Sequence, residues 1–122
     1  MEFTQDWIMR QVQMLAQMLA KILFGKDTTD YIIEDEDDLN GTDLLYKALC
    51  AKLEKGDICG AEDLLFEALE NGGKENLEVA IDFYARLNKM SDAELENANF
   101  SREEVEEGLK NATAMFGLEG IL

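Results

Sequence analysis

The residues best placed to do chemistry form an acidic run, Glu34, Asp35, Glu36, Asp37 and Asp38, closed by Asn40 and Gly41. Side-chain oxygens at alternate positions before a glycine suit a hard divalent cation such as calcium. With Gly41 at the sixth position of an EF-hand loop, Glu36 takes the first, Asp38 the third, Asn40 the fifth and Lys47 the twelfth. The twelfth position needs a bidentate glutamate, and the eighth, here Asp43, should be apolar. A lysine stands where the cation shell is completed. The segment 34–38 therefore reads as a solvated acidic stretch, with a weak divalent-cation site as the alternative. No resident metal and no cofactor are expected.

The rest of the catalytic repertoire is narrow. The chain has no histidine, which removes the usual base near neutral pH and every Ser-His or Cys-His nucleophile. Cys50 and Cys59 do not form a Cys-x-x-Cys motif and read as free, reduced thiols. With 27 Asp and Glu, no carboxylate pair stands out, whereas glycosidase chemistry needs two at a set separation in a cleft. The glycines mark helix stops and form no phosphate cradle. No enzyme is expected, and no catalytic residue is assigned.

One further group deserves an interaction reading. Trp7, Met14 and Met18 lie on one flank of the N-terminal helix. Core packing is the ordinary reading of such a flank. A docking surface is the functional one, because methionine adapts to varied partners and tryptophan anchors interfaces.

The elements that position these residues are helices. Ile8, Val12, Leu15, Leu19 and Ile22 make one stripe along a helix that starts at a Thr4 cap and ends near Gly25. Phe3 and Ile8 would staple its start. With Trp7, Met14 and Met18 on one flank and Met9, Ala16, Ala20 and Leu23 on the other, the apolar arc covers roughly 240°, far wider than a one-sided surface helix needs. This predicts burial on more than one side. Residues 27–41 read as a mobile, solvated connection, in which Tyr31, Ile32 and Ile33 could anchor a short piece.

Further helices are predicted from Thr42 to Lys55, from a cap at Asp57 to Asn71, and from Glu75 to Lys89. Two capping boxes, Ser91 with Glu94 and Ser101 with Glu104, open the last two. Gly117 closes the final helix, with Leu118 folding back. No stretch alternates with period two, so no sheet is expected.

Charge and length bound the class. The 122 residues carry a net charge of -16 and no proline. Such acidity argues against non-specific nucleic-acid binding, which needs basic side chains to displace counterions. Charge is uneven: residues 27–46 hold eight acidic and no basic side chains, whereas residues 1–26 hold two acidic and three basic. The apolar region Ile8 to Phe24 is broken by Arg10, Gln11, Gln13, Gln17 and Lys21, so it does not span a membrane. Glu2 and Asp6 precede the first basic residue, Arg10, which argues against a secretory leader and for a cytoplasmic protein.

Residues 45–70 form a helix, a turn at Gly56-Asp57 and a second helix carrying Ala61, Leu65 and Ala68. This pair resembles one tetratricopeptide unit, whose small residues allow close helix approach. Lys52 stands where that repeat is usually aromatic, and no second copy follows, so an ordinary helical hairpin remains the other reading.

The chain as a whole resembles a family of unknown function made of short, acidic, all-helical proteins from anaerobic Gram-positive bacteria. The resemblance is carried by Gln5 to Arg10 with the helix that follows, Ala61 to Glu67, Ala80 to Tyr84, and Asn99 to Leu109. It implies a soluble, cytoplasmic helical domain, and neither an activity nor catalytic residues.

The sequence thus predicts a single all-α domain of antiparallel helical hairpins, tetratricopeptide-like or an irregular bundle. It comprises an apolar N-terminal helix (1–26), an acidic connection (27–41) and helical hairpins (42–122). The expected function is a non-catalytic protein-interaction or scaffold module, with a protein partner or self-association through Trp7, Met14 and Met18, and without nucleic acid or membrane. The alternative is an acidic protein that binds a basic partner or a divalent cation.

Overall fold

One helix carries the architecture. The computed structural model describes residues 2–117, with side chains from Asp6 onward. Six helices follow in chain order: α1 (Glu2–Phe24), α2 (Gly41–Glu54), α3 (Ile58–Asn71), α4 (Glu75–Asn88), α5 (Asp92–Asn97) and α6 (Arg102–Ala114). No strand occurs among the described residues, so the chain is all-α. Helix α4 packs against α1, α2, α3 and α6. Its sequence requires this: Leu77, Val79, Ala80, Ile81, Phe83, Tyr84, Ala85 and Leu87 surround it with apolar surface, and all are buried. Helices α1 and α6 also pack on each other, as do α2 and α3, so α4 lies between two helix pairs.

Local capping chemistry sets the helix boundaries. Ser91 and Ser101 each accept from the backbone N–H of their third helical residue, Glu94 and Glu104, whose carboxylates return to the cap N–H. Asp57 caps α3 by accepting from the Gly60 N–H at 2.9 Å. Each such cap stabilises its helix by about 1 kcal/mol. Gly56, in the turn between α2 and α3, has a positive φ of 76°, the left-handed backbone that glycine adopts without strain.

Four sequence expectations are corrected. Helix α1 begins at Glu2, so Thr4 lies inside it rather than at its cap, and the side chains of the Phe3 staple and of Thr4 lie outside the described residues, as does Leu118. Helix α2 is opened one residue early by Asn40, which forms a capping box with Asp43. Residues 27–39 do not form a free connection. They run as a strap across α4, with Thr29 and Tyr31 buried. The Tyr31 N–H donates to the Asp82 carboxylate at 2.7 Å, and its hydroxyl donates to Asp43.

The fourth correction concerns α1. The helix is covered on one side only. Ile8, Val12, Ala16, Leu19 and Ala20 are buried, whereas Ile22, assigned by periodicity to the core stripe, is 58% exposed. The covered face is rotated toward Ala16 and Ala20, whose small side chains let neighbouring helices approach.

Candidate functional site

The rotation of α1 leaves an apolar stripe uncovered. Trp7 is 54% exposed and Met14 65% exposed, Met18 is half-buried, and Ile22 continues the same line. The structure therefore brings the three sequence-predicted residues together on one face and adds Ile22 to them. With Gln11, which is exposed, the positions advance by four, three, four and four, so they share a face of the helix. That face points about 140° away from the direction of Val12 and Ala16, by the turn angle of an α-helix. Its outer border is polar: Asp6, Arg10, Gln17 and Lys21 are all exposed. Arg10 and Lys21 offset Glu2 and Asp6, so α1 carries no net charge.

The helix is held in place from behind. Asn88, at the end of α4, donates through Nδ2 to the Met9 carbonyl at 2.9 Å. Arg102 is buried and donates to the carbonyls of Asn88 (3.0 Å) and Met90 (2.7 Å) and to the Asp92 carboxylate (2.8 Å). The end of α4, α5 and the start of α6 are thereby tied to one guanidinium, whose planar fork matches this work.

The acidic run has a different setting. Residues 34–38 are exposed, and Glu36 pairs with Lys47 at 2.8 Å. The lysine that fails as a cation ligand thus supplies a positive charge to the run itself. Behind the run, a groove of about 950 Å³ opens between the strap and the turn joining α3 to α4. Glu34, Asp35, Asp38, Glu75 and Glu78 line it. Among the described residues, no three Cys, Asp or Glu side chains are placed to hold a metal ion.

Inside the fold, two carboxylates lie in polar networks that sequence reasoning missed, because their partners are distant in the chain. Asp82 is buried, accepts from the Tyr31 N–H, and pairs with Arg86 at 3.3 Å; Arg86 also donates to the Tyr46 hydroxyl at 2.9 Å. Burial raises the Asp82 carboxyl above the usual range, against the opposing effects of Tyr31 and Arg86. Glu62 accepts from the buried Tyr84 hydroxyl at 2.6 Å. Burial, with help from Glu104 and Asp63, raises Glu62 despite that hydrogen bond. These groups are engaged with one another, and their geometry serves packing.

Residues 2–117 match a family of unknown function, DUF6483. The chain belongs to this family. No curated protein and no solved structure matches it. The DUF6483 match spans all six helices, so the α1 stripe and the acidic groove both lie within the family's domain. In this DUF6483 chain both cysteines are free thiols, Cys50 half-buried and Cys59 exposed. Desolvation and the nearby Glu104 and Glu62 carboxylates raise the Cys59 thiol, which lowers its share of reactive thiolate. No described helix is long and apolar enough to cross a membrane.

Proposed function

We propose that the protein is a non-catalytic interaction module that docks a partner helix on the outer face of α1. The observation that carries this reading is the uncovered stripe of Trp7, Met14 and Ile22 on a helix without net charge, in a chain of charge -16. Single exposed apolar side chains are ordinary on protein surfaces, but a line of them rimmed by polar groups marks an interaction site. Mechanistically, a helical partner would lay its own apolar side chains along the stripe, with Trp7 as the anchor and the two methionines adapting around it. The acidic surface would repel acidic competitors and steer approach. The α2–α3 hairpin fits a tetratricopeptide-like scaffold, and a cytoplasmic setting suits two free thiols.

The test places a photoreactive residue at Gln11, inside the stripe, and in a second preparation at the exposed Glu67 on α3, in the other helix pair. Both are expressed in native cells. Adducts concentrated at Gln11 support the reading; equal yields at both positions would overturn it.

A second reading rests on the groove. Six carboxylates, Asp43 among them, line about 950 Å³, a volume suited to a basic peptide segment or, more weakly, a hydrated divalent cation. Binding of a lysine-rich peptide that weakens steeply with salt would support it, and salt-independent binding would count against it.

A further inference from the structure

We propose that residues 34–39 form a lip whose closure over the acidic groove is held off by like charge, so that the groove narrows when that charge is screened or removed. This goes beyond the docking face of α1 and does not depend on it.

The lip has fixed ends and a free middle. On its N-terminal side Tyr31 is buried and bound to Asp82 and Asp43, and Ile33 packs against the core. On its C-terminal side Asn40 caps α2 in a box with Asp43. Between these anchors residues 34–38 are exposed. They have an internal order of their own. The Asp37 N–H donates to Asp35 Oδ1 at 3.0 Å, and the Asp38 N–H donates to the Asp35 carbonyl at 3.1 Å. The stretch from Asp35 to Asp38 is thus one turn, able to swing as a unit between two anchors.

Two opposed tendencies act on this unit. Ile32 is 64% exposed and lines the groove beside Tyr31 and Ala68. Covering such a side chain is favourable, so its burial draws the lip inward. Repulsion opposes this. Glu34, Asp35 and Asp38 on the lip face Glu75 and Glu78 on α4 and Asp43 on α2, and none of the described residues lining the groove is basic. Lys26 pairs with Glu78 at 2.7 Å, and among the described residues no salt bridge reaches the other five carboxylates. Lys47 is engaged by Glu36 at 2.8 Å, and Glu36 does not line the groove.

Each charge pair repels weakly across water, but several act together when little salt is present. The screening length is about 30 Å at about 0.01 M salt, longer than the groove is wide, and about 3 Å at about 1 M, where the two walls no longer sense each other. Removing several such repulsions should raise the closed population roughly tenfold. The fold thereby carries a switch: one groove, wide when its walls are charged and narrow when they are screened or neutralised.

The test uses the full chain with nitroxide labels on Asp37→Cys and Glu70→Cys, in a background with Cys50→Ala and Cys59→Ala. Both labelled positions are exposed, neither lines the groove, and they stand on its two rims. The distance between the labels, measured by pulsed electron resonance, should shift to shorter values from about 0.01 M to about 1 M potassium chloride. Glu34→Gln with Glu75→Gln, one substitution on each wall, should produce the short distance at low salt and leave little further response. Glu96→Gln with Glu103→Gln removes the same charge beyond the other end of α4 and should leave the salt response as it was. A distance that is unchanged or lengthened at high salt would overturn the proposal, as would an equal shift from the remote pair, which would assign the effect to net charge alone.

Discussion

Tyr84 and Gly108 occupy each other's space: a Cβ on Gly108 would stand 2.5 Å from the Tyr84 hydroxyl and ring edge. The glycine lets the α6 backbone lie against a tyrosine on α4 that is itself fully buried. The same tyrosine reaches Glu62 on α3, so one side chain joins three helices.

The first consequence is for Gly108→Ala. Alanine favours a helix interior over glycine by about 1 kcal/mol. Here the added methyl meets a ring with no room to move, and overpacking of this kind costs about 1 to 3 kcal/mol. The clash outweighs the propensity gain, so the urea midpoint should fall, and a midpoint equal to or above wild type would contradict the fit described.

A polar counterpart lies in the strap. Tyr31→Phe removes the donor to one oxygen of Asp43, a carboxylate that is only 4% exposed. The other oxygen keeps the Asn40 N–H at 3.1 Å. An orphaned buried acceptor costs about 1 to 3 kcal/mol. Hydrogen exchange should show amides of residues 27–39 opening faster, with α6 amides unchanged if the effect is local.

Arg102 should resist conservative replacement. Lysine keeps the charge but cannot reach two carbonyls and a carboxylate in one plane. Arg102→Lys should cost about 2 kcal/mol, since hydrogen bonds to charged groups contribute more than neutral ones. Arg102→Met, which keeps volume and loses every donor, should cost more. Thermal melts of the two variants check the order.

Stability should rise on mild acidification. Glu62 and Asp82 are both raised by burial, so the folded chain holds their protons more tightly than the unfolded chain does. That contribution is fully present below the ordinary carboxylate range and is lost as pH rises through the raised folded values. Relief of repulsion in a chain of charge -16 acts in the same direction. Glu94 acts oppositely: its lowered value, set by the Ser91 N–H and hydroxyl, gives stability that is lost only at lower pH. The urea midpoint should therefore increase as the pH falls from about 7.5 into the ordinary carboxylate range, about 4.5. A flat or falling midpoint over that range would show that burial does not govern these two groups.

Much of the scaffold is legible in the sequence because its signals are local. Ser91, Ser101 and Asp57 act on residues three positions away, and a cap can be read within one turn. Asn40 follows the same rule, yet it stands at the end of an acidic run, where Asp43 reads as one more solvated charge rather than as half of a capping box. The strap is invisible for a different reason: Tyr31 and Asp82 are 51 positions apart, and neither carries a mark of the other. On α1, periodicity shows an arc too wide for one contact face, which is why Trp7, Met14 and Met18 stand out. It does not show which edge is covered. Two alanines decide that by admitting neighbours closely, and they displace Ile22 from the core.

The order of helices along the chain has a consequence during synthesis. Helix α1 is made before the helix on which it rests, and Phe24 and Asn88 are separated by more than sixty residues. At ordinary elongation rates, roughly 3 to 13 seconds pass before α4 follows. Throughout that interval both sides of α1 are without cover: the side that will face α4 and α6, and the stripe that stays outside. Neighbouring nascent chains on one message would carry the same helix in the same state.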